Sequence, residues 1–283
     1  MTEPNHDAPV LPLYPQPGAP RALTGLYRDM DLPEQGRWGP WVYGNFVTTL
    51  DGRIAVAHPD TGALGVTASI GDNRDWRLFQ ELAARADILV SNGRYFRDLR
   101  LGTAQDVLPL SSAPAYQDLH AWRRDQGLPP QPDVAVLSTT LNFQIPDALF
   151  RQGRRVLVLT TTQAPDSERA RHERDGAEVI ATNDGSGVDG ADAAAALGAR
   201  GYGRAYVITG PEVMHALVAA GALDALFLTQ RHRLVAGSPY RTIMEGQPLS
   251  PPADWRLESL YLDTATDRAE QQFARFTLES PRA

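Results

Sequence analysis

The residues best suited to binding and chemistry fall in short polar stretches that interrupt apolar runs. The first is Thr209-Gly210-Pro211-Glu212. Ala205 to Ile208 before it form an apolar, β-branched run that reads as a buried parallel strand. Val213, Leu217 and Ala220 after it share one helical face, and Gly221 supplies the stop. A helix that starts straight from a strand turns its first free N–H groups and its positive dipole end outward. Gly210 leaves room there for a phosphate, and Pro211 suits the first turn, where its missing N–H costs nothing. Taken alone, TGPE serves equally well as a plain turn. Ser91-Asn92-Gly93-Arg94 repeats the arrangement after the run Asp87–Val90. A third stretch, Trp41 to Ala55, reads as a strand in which Asn45 is a polar residue among buried ones and needs a partner from protein or ligand. It ends in Leu50-Asp51-Gly52-Arg53, where Asp51 sits at a turn tip.

The elements that must position these residues follow an α/β rhythm. Asp72 or Asn73 caps a helix with the apolar stripe Trp76, Phe79, Leu82, Ala83 and Ala86. Strands are expected near 87–90, 134–140, 154–162, 177–182, 205–208 and 223–229, with helices between them. LESLYLDTA and QQFARFTLE close the chain as an antiparallel hairpin. Residues 1–38, rich in Pro and Gly, read as an extended arm laid over the body and disordered at its start. Residues 39–283 then form one domain with a mostly parallel mixed sheet, antiparallel at its end. Ligands of such sheets bind beyond the carboxyl ends of the strands. There, Ser91 to Arg94, Ser138 to Thr140 with Thr160 to Thr162, and Thr209 to Glu212 converge. Residues 99–133 carry no assignable chemistry.

Composition narrows the function. The 283 residues contain no cysteine, so disulfides, thiolate metal sites and cysteine nucleophiles are excluded. The 6 histidines lack metal-ligand spacing, so no catalytic metal is expected. A net charge of −7 argues against a nucleic-acid partner. All 27 basic residues are arginines, so no lysine acts as Schiff base or phosphate clamp. Without an apolar run of membrane-spanning length or a charged-then-apolar leader, a soluble cytoplasmic protein is expected.

In order and spacing, four segments resemble a known family. They are NFVTTLDGRIA, ELAARADILVSNGRYFRD, VITGPEVMHALVAAGALDALFLT and RHRLVAGSPYRTI. The chain is similar, over about residues 40–275, to the dihydrofolate-reductase-like reductase domain of riboflavin biosynthesis. That domain reduces a ribosylaminopyrimidine 5′-phosphate with NADPH. The resemblance implies a three-layer α/β fold, NADPH as cofactor, a small-molecule substrate and a homodimer. Carried over by position, it implies that Val47, Ser91, Asn92, Gly93, Arg94 and Thr139 line the cofactor. Gly210, Pro211, Glu212 and Val213 would hold its pyrophosphate. Arg94 would face the 2′-phosphate or stand as a surface arginine. Asn45, Asp51 and Asp98 would contact substrate or cofactor in the catalytic centre, with an Asp-Gly turn the other role open to Asp51. Two departures stand out. The family has a substrate-touching glutamate where this chain has Ile208, and RDLRLGTAQ lacks a clear equivalent of the family's sugar-phosphate arginine. The implied function is an NADPH-dependent reductase acting on a heterocycle or imine. Alternatives are a genuine riboflavin-pathway reductase with a variant substrate site and a non-catalytic nucleotide-binding protein.

Overall fold

The computed structural model describes residues 8–102, 108 and 110–279. The opening residues 1–7, expected to be disordered, lie outside the described residues, as does 103–107, into which RDLRLGTAQ runs. In chain order the arm supplies β1 (Pro9–Tyr14) and β2 (Arg21–Ala22), followed by β3 (Trp41–Thr49), β4 (Ala55–Ala57) and β5 (Leu64–Gly65). Then α1 (Asn73–Arg85), β6 (Ile88–Asn92), α2 (Gly93–Arg100), α3 (Gln117–Asp125) and β7 (Asp133–Leu137) follow. The α/β alternation continues through α4 (Asp147–Arg151), β8 (Val156–Thr161), α5 (Asp166–Arg174), β9 (Glu178–Asn183) and α6 (Gly190–Gly198). It closes with β10 (Arg204–Val207), α7 (Pro211–Ala219), β11 (Ala225–Arg231), β12 (Tyr240–Arg241), β13 (Trp255–Asp263) and β14 (Gln271–Leu278). Among the described residues, no helix is long and apolar enough to cross a membrane.

Eleven strands form one sheet in the order β2-β1-β13-β14-β11-β3-β10-β6-β7-β8-β9. From β11 to β9 all neighbours are parallel, and from β14 outward they are antiparallel. This is the mixed sheet expected from the buried apolar runs and the alternating closing hairpin. Helices cover both faces. Tyr43, Leu89, Tyr206 and Phe227 point to the face that packs with α1, and Tyr43 donates its hydroxyl proton to the carbonyl of Leu82 at 2.8 Å. Val42, Ala205, Val207 and Val90 point to the other face, against Leu197 of α6 and Met214 and Leu217 of α7.

The arm is built into the sheet. β1 pairs with β13, and Val10, Leu23 and Tyr27 are buried. Helix α1 starts where Asp72 accepts from the N–H groups of Arg74 and Asp75. Its polar side is covered as well. Arg74, Arg77, Gln80, Glu81 and Arg85 are buried beneath the arm, α3 and the end of β13.

Candidate active site

Strand register brings the chemically interesting residues to one level. Val207 lies opposite Gly44 on one side and Val90 on the other, so Asn45, Ile208 and Ser91 come next in line. At a spacing of about 4.8 Å per strand they span roughly 10 Å. The N–H of Ile208 donates to the carbonyl of Val90 at 3.0 Å, extending the ladder one residue past β10. From β6 the chain goes on through α2 toward β7, and from β10 it goes on through α7 toward β11, on the opposite side of the sheet order. The connections also lie on opposite faces: Phe96 of α2 packs with the α1 side, Met214 of α7 with the other. Adjacent strands whose connections diverge leave a crevice between two helix N-termini, the usual ligand position in such sheets.

Each N-terminus is shaped by its sequence. At α7, Gly210 is the N-cap residue in extended conformation and Pro211 occupies the first turn. A Cβ added at Gly210 would meet only Arg94 Nη2, at 3.5 Å, so the notch above it is open. At α2, Asn92 caps the helix by accepting from the N–H of Tyr95 at 2.9 Å. Gly93 is required for close packing, since a Cβ there would lie 2.9 Å from Phe143 Cδ1 and 3.2 Å from Ser138 Oγ. Arg94 reaches across the crevice toward Glu212, with 3.9 Å between charged atoms and both side chains well exposed. An ion pair so exposed contributes little and yields readily to a competing anion. Pro211 and Val213 are buried, Thr139 is half-buried in the turn after β7, and the hydroxyls of Ser91 and Thr209 are buried with no partner. Val47 closes the end of β3, only 7% exposed.

The residues expected in the catalytic centre lie on different elements: Asn45 in β3, Asp51 in the turn after it and Asp98 in α2. Asn45 is half-buried, and its side chain hydrogen-bonds the Tyr206 hydroxyl. Asp51 braces loops. It accepts from Thr49 Oγ1 at 2.5 Å and from the N–H groups of Ala236 at 2.9 Å and Val235 at 3.3 Å, and it pairs with Arg53 at 2.9 Å. The bond from Thr49, then that from Ala236, holds its carboxyl down to about 2. Its grip on Ala236 fixes a left-handed residue, φ +59°, that a non-glycine side chain adopts only under constraint. Beside it, a cavity of about 490 Å³ opens between Ala57–Asp60, Thr67–Ser69 and Val235–Pro239. Asp98 is half-buried on α2, about 8 Å along the helix from Gly93 at 1.5 Å per residue.

Sequence reasoning missed Asp75. It lies on the stripe of α1 that faces the sheet, four residues before Phe79 and seven before Leu82, so a charged residue in register with an apolar stripe was the available signal. It is buried beside Thr229 of β11, and burial pushes its carboxyl up to about 7.

A family model described as the RibD C-terminal domain matches residues 40–265. The chain belongs to that family. The fold agrees with solved structures that share little sequence. A pyrimidine reductase-like protein from Corynebacterium diphtheriae superposes with a TM-score of 0.62 at 20% identity, covering 85% of this chain and 92% of that one. RibD of Acinetobacter baumannii gives 0.55 at 14% identity, over 86% of this chain and 59% of the other. The riboflavin biosynthesis reductase Rib7 of Saccharomyces gives 0.50 at 14% identity, over 87% and 92%. No curated protein sequence matches the chain. The mixed sheet with helices on both faces is thus the fold of the RibD C-terminal domain family.

Proposed function

We propose that this RibD C-terminal family member is an NADPH-dependent reductase of a small nitrogen heterocycle or imine, with its cofactor in the crevice between α2 and α7. The observation that carries this reading is the pair of helix N-termini facing an open notch at the point where the strand order diverges. The pyrophosphate would rest on Gly210 to Val213, with Ser91, Asn92, Gly93 and Thr139 along the remainder and Val47 beside the nicotinamide. Arg94, released from Glu212, would take the 2′-phosphate that distinguishes NADPH from NADH. NADPH supplies the hydride; the chain's own work is to orient the ring and exclude water. Asn45, half-buried, offers its amide to the substrate. We propose for Asp51 a bracing role, with its oxygens engaged by the 235–236 loop.

The test is NADPH consumption with a panel of imines, pterins and ribosylaminopyrimidine phosphates. Turnover of at least one, with NADH a poorer donor than NADPH, supports the reading. Tight NADPH binding without turnover of any would favour a non-catalytic nucleotide-binding protein.

A further inference from the structure

The turn after β7 carries Ser138 and Thr139, and its shape has to be held from outside. Leu141 within it is completely buried with φ +56°, a left-handed conformation that leucine keeps only under constraint. Hydrogen bonds around its peptide groups supply the constraint. Its N–H donates to Ser138 Oγ at 3.1 Å. Its carbonyl accepts from the N–H of Phe143 at 2.9 Å and from Arg171 Nη2 at 2.8 Å, and it faces His172 Nε2 at 3.0 Å. Arg171 Nη2 also donates to the Phe143 carbonyl at 3.0 Å, and the His172 ring packs on the Phe143 ring with centroids 4.4 Å apart. On its other side the turn meets α2. Phe96 stacks on Phe143 at 5.7 Å between centroids, and Arg97 Nη1 donates to the Asn142 carbonyl at 3.0 Å. Phe143 also lies so close beneath Gly93 that an added Cβ would stand 2.9 Å from its ring. The start of α2, the turn and the end of α5 are therefore one packed unit.

Helix α5 is otherwise polar, and His172 is its one buried residue, with no exposed surface. A side chain needed there only to fill space would be apolar, as elsewhere in this core. A histidine brings a donor as well. Burial pushes its pKa down, so the ring is neutral, and a proton on Nε2 answers the Leu141 carbonyl. We infer that His172 is a positioning residue for the cofactor: by holding Leu141 and Phe143 it sets where Thr139 and the N-terminus of α2 stand to receive the adenosine half of NADPH. This rests on the cofactor reading of the crevice. His172 does not touch the ligand and acts through the turn. Without its donor, Leu141 relaxes out of the left-handed region, the turn shifts about Ser138, and Phe143 no longer supports Gly93 from below. A displacement of about 1 Å in groups that position a ligand is enough to lose an order of magnitude or more.

The experiment is calorimetric titration of the whole chain with NADPH and with adenosine 2′,5′-bisphosphate, which carries the adenosine half alone. His172→Leu fills the same space without a donor and should weaken both ligands by the same factor, about tenfold or more. His172→Gln keeps an N–H within reach of the Leu141 carbonyl and should recover most of that loss. Should His172→Leu not fold, His172→Asn, whose shorter amide stops at the place of Nδ1, carries the same expectation. Leu197→Ala, on the opposite face of the sheet, separates positioning from general stability: it should lower the melting temperature and keep the parent's affinity. A folded Leu or Asn variant that binds like the parent would overturn the inference, as would a Gln variant as weak as the Leu variant. So would a loss seen with NADPH and absent with the bisphosphate, or an equal loss in Leu197→Ala. A parent that binds neither ligand would overturn the cofactor reading itself, and this inference with it.

Discussion

Ile208 and Asp75 each lead to a test. Ile208 stands level with Asn45 and Ser91 and packs toward the α1-side core, where it offers a substrate only an apolar surface. A site that loses one hydrogen-bonding partner discriminates against substrates that need it by about a hundredfold or more. The parent is therefore expected to reduce ribosylaminopyrimidine phosphate poorly, and Ile208→Glu to raise kcat/KM for it at the cost of stability. A parent already fast on that compound would show that position 208 does not discriminate. Asp75 makes a prediction about pH. Its folded carboxyl titrates at about 7, against 3.8 for the free group. Between those values the folded state holds a proton that the unfolded chain has released, so stability falls as pH rises through this window. Asp75→Asn removes that dependence. It should exceed the parent in stability by about 2–4 kcal/mol at pH 8 and match it at pH 4, read from urea unfolding at each pH. Equal pH slopes for the two proteins would contradict the burial argument.

Among the elements, α1 binds the non-periodic parts of the chain to the sheet. Glu81 is completely buried and accepts from the N–H groups of Gly25 at 2.6 Å, Tyr27 at 2.9 Å and Arg28 at 3.1 Å, and from Arg77 at 2.9 Å. Glu81→Ala would strand those donors and the Arg77 charge, a loss of about 3–5 kcal/mol, while Glu81→Gln should lose less. A Glu81→Ala variant within 1 kcal/mol of the parent in urea would show that the arm is not held this way. The same helix shows what could be read in advance. Its start was legible because Asp72 caps it, and the β10–α7 turn because Gly210-Pro211 follows an apolar run. The closing hairpin was legible from its alternation. The burial of Arg74, Arg77 and Arg85 was not legible, because the segments that cover them have no periodicity and meet α1 through contacts more than 35 residues away in sequence. Asn45 was legible as a polar residue in an apolar strand. Asp75 was overlooked although it falls on the apolar stripe, since on a helix with many charged residues one more draws no notice.

At the scale of the whole molecule, this chain spans 59% of the Acinetobacter RibD and most of the shorter reductase-like neighbour, with the matched family region forming the body. The arm bears on assembly. Pairing of β1 with β13 occupies the edge that the closing hairpin alone would leave open. We therefore propose that the homodimer implied by the family forms through the sheet face carrying Leu260, Leu262 and Phe276, which remain only half-buried. Light scattering should give twice the chain mass at micromolar concentration, and Leu260→Arg should halve it; a monomeric parent would contradict the proposal. The claim on which the rest depends is that the notch over Gly210 receives the NADPH pyrophosphate. Since a Cβ there meets only Arg94, Gly210→Val should fold with an unchanged circular dichroism spectrum and melting temperature. Calorimetric titration should then show the parent saturating with NADPH and the variant binding at least about 2 kcal/mol more weakly, roughly thirtyfold. A well-folded variant that titrates like the parent would show that the turn is structural and that the cofactor, if bound, lies elsewhere.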